Sequence, residues 1–154
     1  MDNQTQIIFK KLFPNGYEII SYSEDLSIFK FGSIPNKNVV VEDNGIIIGL
    51  SMYEFHEEIP RELKKFAELE YLALFDTAIK TLPSWLNAFQ HLHTLILQFT
   101  DSWYKQIDLQ NLSELTNLEF FYLFHWTTEI QLLHFESLKH LKSLKLLYLR
   151  NVAL

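Results

Sequence analysis

The chain has 154 residues, about one domain's worth, and 48% of them are apolar, enough to bury a sizeable core. Its formal net charge of −6 argues against nucleic-acid binding, which needs clustered Lys and Arg, whereas the 13 here are scattered. The absence of Cys excludes a disulfide framework, thiol catalysis and Cys-ligated zinc, and is compatible with a reducing cytoplasm.

The chain begins Met1-Asp2-Asn3-Gln4-Thr5-Gln6, which lacks the basic start of a secretory signal. No apolar run approaches the ~20 residues needed to span a bilayer. A soluble cytoplasmic protein without membrane contact is therefore expected. From Gln4 to Phe13, Ile8 and Leu12 share a face with Phe9 and Phe13 beside them, which predicts a short amphipathic helix ended by Pro14-Asn15-Gly16. Tyr17 to Tyr22 reads as a strand. Asn38 to Asp43 then meets Ile46 to Leu50 across Asn44-Gly45. Asn-Gly is the strongest short hairpin signal, because a type I′ turn needs positive φ at both central positions.

Beyond the hairpin, a leucine pattern returns on a fixed period. Leu69, Leu72 and Leu74 are followed by Leu92, Leu95 and Leu97, then by Leu118, Phe121 and Leu123, then by Leu144, Leu147 and Leu149. The offsets between successive sets are 23, 26 and 26 residues. A period of this size means stacked units, each too small to bury its own apolar face. Between the strands, Leu109, Leu112, Leu115 and Leu118 recur every third residue, as do Leu138, Leu141 and Leu144, which fits the inward face of a helical or 3₁₀ turn. Short helices are expected near 61–67, 84–90, 109–116 and 134–142.

Residues 69–77, Leu-Glu-Tyr-Leu-Ala-Leu-Phe-Asp-Thr, fit LxxLxLxxN/C with Thr77 in the Asn position. The tail that follows, Ile79-x-x-Leu82-Pro83-x-x-Leu86-x-x-Phe89, recurs upstream around Ile59, Pro60, Leu63 and Phe66. On these motifs the chain resembles the leucine-rich repeat family. The resemblance implies an α/β solenoid, with a curved parallel sheet on the concave face and short helices on the convex side. Residues 45–154 would form about four to five units, and residues 1–44 an N-terminal helix and β-hairpin cap, within one structural domain. In the first unit Ile48 and Leu50 are taken as the two core residues. The Asn slot departs from the family pattern, holding Tyr53, Thr77, Thr100 and Trp126, and the units are irregular over Phe99–Ile107 and Phe124–Leu132. No capping segment is visible after Leu149. Either the last turn and strand suffice, or another subunit covers that end, or the chain belongs to something longer.

Strand side chains alternate, so residues between the core leucines face the concave surface. Tyr71, Phe75, Ile96, Phe120, Tyr122, Phe124 and Tyr148 fall in those slots, giving an apolar, aromatic face. Large apolar patches mark interaction sites, and aromatic residues dominate binding hot spots. These seven residues are the candidate protein-binding site. Catalytic signals are missing: there is no HExxH, no GxSxG elbow, no P-loop and no dinucleotide fingerprint. The six His residues are expected to be solvated rather than metal-binding. No cofactor or metal is expected. The function anticipated is non-enzymatic recognition of a protein partner. A self-associating unit, through the concave face or the C-terminal end, is the alternative, and an accessory domain of an enzyme is the third class.

Overall fold

The computed structural model describes residues 1–22, 37–54, 58–100 and 105–154. Residues 23–36 of the expected cap and 101–104 of the irregular Phe99–Ile107 stretch lie outside them. The helix α1 spans Asn3–Leu12 and is capped by Asp2, whose Oδ1 accepts the Thr5 N–H at 2.7 Å. It buries Ile8, Phe9 and Leu12 against the core. Gly16, at φ 94°, turns the chain into β1, Glu18–Ser21.

Two strands follow, β2 at Val39–Asp43 and β3 at Ile46–Tyr53, paired antiparallel. Asn44 and Gly45 join them with φ of 50° and 85°, the positive values that the Asn-Gly signal demands. The remaining strands are β4 (Tyr71–Phe75), β5 (Thr94–Phe99), β6 (Gln106–Asp108), β7 (Phe120–His125), β8 (Ile130–Leu133), β9 (Leu146–Arg150) and β10 (Val152–Ala153). Seven strands form one open sheet in the order β1-β2-β3-β4-β5-β7-β9, parallel except at β2–β3. A smaller parallel sheet, β10-β8-β6, forms on the return segments. The architecture is α/β with a mostly parallel, open sheet and few helices, compatible with a repeat fold.

The expected short helices are 3₁₀ turns, at Arg61–Lys65, Ser84–Ala88, Gln110–Glu114 and Phe135–His140. A three-residue leucine spacing suits a helix with three residues per turn, and five or six residues are too few for a stable α-helix. Each turn closes in the same way. The N–H groups of Phe66, Phe89, Leu115 and Leu141 donate to the carbonyls of Leu63, Leu86, Leu112 and Leu138 at 2.9–3.1 Å. The next core leucine then donates back: Leu69 to Phe66, Leu92 to Phe89, Leu118 to Leu115, Leu144 to Leu141.

The main core lies between the large sheet and these turns. Leu69, Leu72, Leu74, Leu92, Leu95, Leu97, Leu118, Phe121 and Leu123 are completely buried there. The fourth set differs, since Leu144 and Leu149 are only partly buried and Leu147 is 39% exposed. Strand register corrects one reading of the first unit. Leu50 and Met52, not Ile48 and Leu50, pair with Leu72 and Leu74. The cause is a β-bulge: Val41 pairs with Gly49 but Glu42 with Ile47, so Ile48 is an extra residue. The bulge breaks the alternation, placing Ile47 in the main core and Ile48 on the opposite face. Tyr53 thereby pairs with Phe75 and leaves the Asn slot.

Side chains that bond between neighbouring units are present, but elsewhere than the Asn slot. Asn111 Nδ2 donates to the Leu82 carbonyl at 2.6 Å, Asn117 to Gln90 at 2.6 Å and Asn151 to His125 at 2.7 Å. Thr77, in the slot itself, is buried and accepts the Ile79 N–H at 3.3 Å within its own unit.

Candidate protein-binding surface

The face of the large sheet opposite the main core carries a second apolar cluster. Val41, Ile48, Ala73, Phe75, Ile96 and Phe124 are buried in it, with Ile20, Tyr53, Tyr71, Tyr122 and Tyr148 packed around them. Strand register orders these residues in rows across the sheet. The middle row reads Ser51, Ala73, Ile96, Tyr122, Tyr148, with small side chains on β3 and β4, a larger one on β5 and the largest on β7 and β9. A neighbouring row on the N-terminal side reads Gly49, Tyr71, Thr94, Phe120, Leu146.

The seven residues singled out from the sequence all lie on strands of this sheet, at alternating positions, but they divide by depth. Tyr71, Phe120, Tyr122 and Tyr148 are half-buried, with part of each side chain at the surface. Phe75, Ile96 and Phe124 are only 1%, 3% and 4% exposed, which corrects the expectation that they face a partner directly. Alternation assigns a face, whereas depth depends on the size of the neighbours on adjoining strands, about 4.8 Å away. These three form the floor on which the other rings stand.

The rings touch in the arrangements their quadrupoles favour. Tyr122 and Tyr148 have centroids 6.2 Å apart, and Phe124 meets Tyr148 edge-on at 6.3 Å. Phe124 also meets Trp126 at 5.8 Å with planes at 89°. The Arg150 guanidinium sits 5.2 Å from the centre of the Trp126 ring. At the other side of the face, Tyr71 packs edge-on against His93 at 4.4 Å. Burial pushes the Tyr71 phenol up to about 12, with smaller contributions from Tyr22 and the Glu70 carboxylate. The ring is therefore a neutral donor and acceptor at physiological pH.

Two residues of this face, Trp126 and Tyr53, escaped the sequence reading. Trp126, 41% exposed, continues the alternation Phe120, Tyr122, Phe124 by one more step, and its assignment to the Asn slot hid it. Tyr53 was hidden by the bulge at Ile48. Ser51 is completely buried, and its hydroxyl has no hydrogen-bond partner among the described residues. A small cleft of about 480 Å³ opens beside the face, lined by Tyr17, Glu18, Lys37, Asn38, Tyr53 and Glu54 among the described residues.

The titratable groups hold structural roles. His125 is completely buried, which corrects the expectation of solvated histidines. Its Nδ1 accepts from the backbone N–H groups of Thr127 at 3.3 Å and Thr128 at 3.1 Å. His134 Nδ1 lies 2.8 Å from Asp108 Oδ1 on the return side of the molecule. Among the described residues, no helix is long and apolar enough to cross a membrane.

No family model matches this sequence. Over 103 residues, 66% of the chain, it is 32% identical to a probable disease resistance protein of Arabidopsis thaliana. The matched region is 12% of that protein's length. The similarity is thus to one part of a much larger chain.

Proposed function

We propose that this chain is a leucine-rich repeat solenoid, with residues 1–44 as its cap and 45–154 as its stacked units. Its function is non-enzymatic recognition of a protein partner in the cytoplasm, through the aromatic face of the large sheet. One observation carries the reading: half-buried rings at Tyr71, Tyr122 and Tyr148 pack on a buried apolar cluster, with half-buried Phe120, and with Trp126 and Arg150, on the same face. Rings fixed by their neighbours lose little conformational entropy when a partner covers them, and Trp, Tyr and Arg are the residue types enriched in hot spots. The distant similarity to a disease resistance protein is in keeping with an interaction role.

The test uses Phe120→Asp with Tyr122→Asp, both on β7 and neither on an edge strand. Native and variant chains serve as baits in parallel affinity capture, followed by titration of whatever the native chain retains. Loss of one hot-spot ring costs ~2 kcal/mol or more, which is ~30-fold in Kd. A partner bound equally by both baits overturns the site. A native chain whose aromatic face is covered only by a second copy, seen as a dimer that the variant abolishes, overturns the partner.

A further inference from the structure

We propose that β9, the edge strand at the C-terminal end of the large sheet, takes an extended acidic segment of another protein as an added antiparallel strand. This surface is separate from the aromatic face, since it consists of backbone groups and core leucines at the end of the sheet. Among the described residues, β9 pairs only with β7 and β10 only with β8, so both sheets stop at this end. The core is open there as well. Leu146 and Leu147 are 40% and 39% exposed, and Leu144 and Leu149 are only partly buried. The residues in register with Leu147 on the inner strands, Leu50, Leu72, Leu95 and Phe121, are completely buried. The Leu146 N–H donates to the Glu119 carbonyl that flanks β7. By the two-residue alternation of a ladder, Leu147 and Leu149 therefore direct their N–H and C=O away from β7. Outward backbone groups beside exposed leucine side chains make an edge that templates a strand.

The opposite end of the stacked units shows what kind of strand closes such an edge. There β2, reading Val39-Val40-Val41-Glu42-Asp43, covers β3 antiparallel, with its three valines buried. Val40 lies opposite Leu50 in the main core, and Val41 lies opposite Gly49 in the cluster on the other face. Across the sheet, Leu50 is in register with Leu147 and Gly49 with Leu146. A strand of the β2 pattern laid antiparallel on β9 thus puts one apolar residue against Leu147 and the next against Leu146. Its first acidic residue then comes beside Lys145.

Charge supports the same occupant. In a chain of net charge −6, the stretch from Ser137 to Leu154 carries Lys139, Lys142, Lys145 and Arg150 and no Asp or Glu. Lys145 Nζ meets Glu119 at 2.8 Å, yet 63% of its side chain stays at the surface. A second β9 in the vacant position would bring up a like-charged end, which costs affinity. The β2 strand of a second copy is already paired on both sides, with β1 and β3. Exposed ion pairs add little energy, so backbone bonds and apolar contacts hold the added strand while charge selects it.

The probe is a capped peptide with the sequence of Asn38–Asp43, and its control carries Lys in place of both acids. Amide hydrogen exchange and chemical shifts of the full chain are followed by NMR as each peptide is raised to millimolar concentration. The acidic peptide should slow exchange at Leu147 and Leu149, and the Lys peptide should bind severalfold more weakly. Lys145→Glu, which leaves the backbone untouched, should reverse that preference. Leu147→Pro removes an outward N–H, which an edge strand tolerates, and should abolish binding while circular dichroism stays unchanged. Phe120→Asp with Tyr122→Asp should leave the peptide bound, which separates this edge from the aromatic face. No protection at Leu147 and Leu149 with either peptide overturns the edge site. Equal binding of the two peptides overturns the acidic partner. A chain that dimerises in sedimentation, with Leu147→Pro restoring the monomer, assigns the edge to a second copy and also overturns the proposal.

Discussion

The division of the aromatic face into floor and contact surface predicts opposite mutational profiles for two residues of that face. Phe75 is 1% exposed and packed in the second apolar cluster. Truncation to Ala removes the ring's transfer energy and leaves a cavity, together ~3–5 kcal/mol of stability. For a chain of this length each kcal/mol lowers the melting temperature by ~2–4 °C, so the expected shift is about 6–20 °C. Tyr122 keeps part of its ring at the surface, so Tyr122→Ala should lose less than half as much stability while removing a partner contact. Urea denaturation of both variants, with midpoints compared at equal slope, separates them. A loss below ~1 kcal/mol for Phe75→Ala would refute the floor, because a ring that can be deleted so easily is not packed. An equal loss for the two variants would refute the distinction in depth.

Two further outcomes follow from single polar groups. Ser51→Ala should raise stability by ~1 kcal/mol in the same denaturation assay, because it removes a buried hydroxyl that has no hydrogen-bond partner among the described residues. Asp2→Ala should lower the melting temperature at neutral pH. The Thr5 N–H, chiefly, holds the Asp2 carboxyl below its ordinary value of 3.8, so its contribution is present above that pH and is lost as the pH falls through the lowered folded value. The difference between wild type and variant in thermal melts should therefore shrink below pH 3.8.

Much of the strand arrangement was legible because it rests on local signals that reinforce one another. The leucine period located β4, β5, β7 and β9, and the three-residue spacing marked the last two turns while the recurring Leu-Phe tail accompanied the first two; the carbonyls of all four are satisfied by bonds of repeating geometry. Asn44-Gly45 marked the hairpin because few other pairs accept two positive φ values. The register of the first unit was not legible. Ile46 to Met52 is apolar at nearly every position, so the run fits two alternations equally well, and only pairing with β2 reveals the extra residue at Ile48. The inter-unit bonds were missed for a related reason. Their function was sought at the Asn slot, whereas Asn111, Asn117 and Asn151 reach the preceding unit from other positions.

For the candidate surface, sequence alternation identified the face, but the order of side-chain sizes across the strands decides which part of it a partner can reach. In the middle row Ser51 and Ala73 are completely buried, Ile96 is nearly so, and Tyr122 and Tyr148 stand partly clear. The rings beside that end add Trp126 and the guanidinium of Arg150. A leucine period treats every unit as equivalent, so it carries no information about this gradient. The gradient concentrates exposed aromatic surface over β7 and β9, beside the edge whose core leucines are also least covered. A partner centred there contacts rings already held by their neighbours, while one centred over β4 meets mainly the half-buried Tyr71 and, on β3, Tyr53.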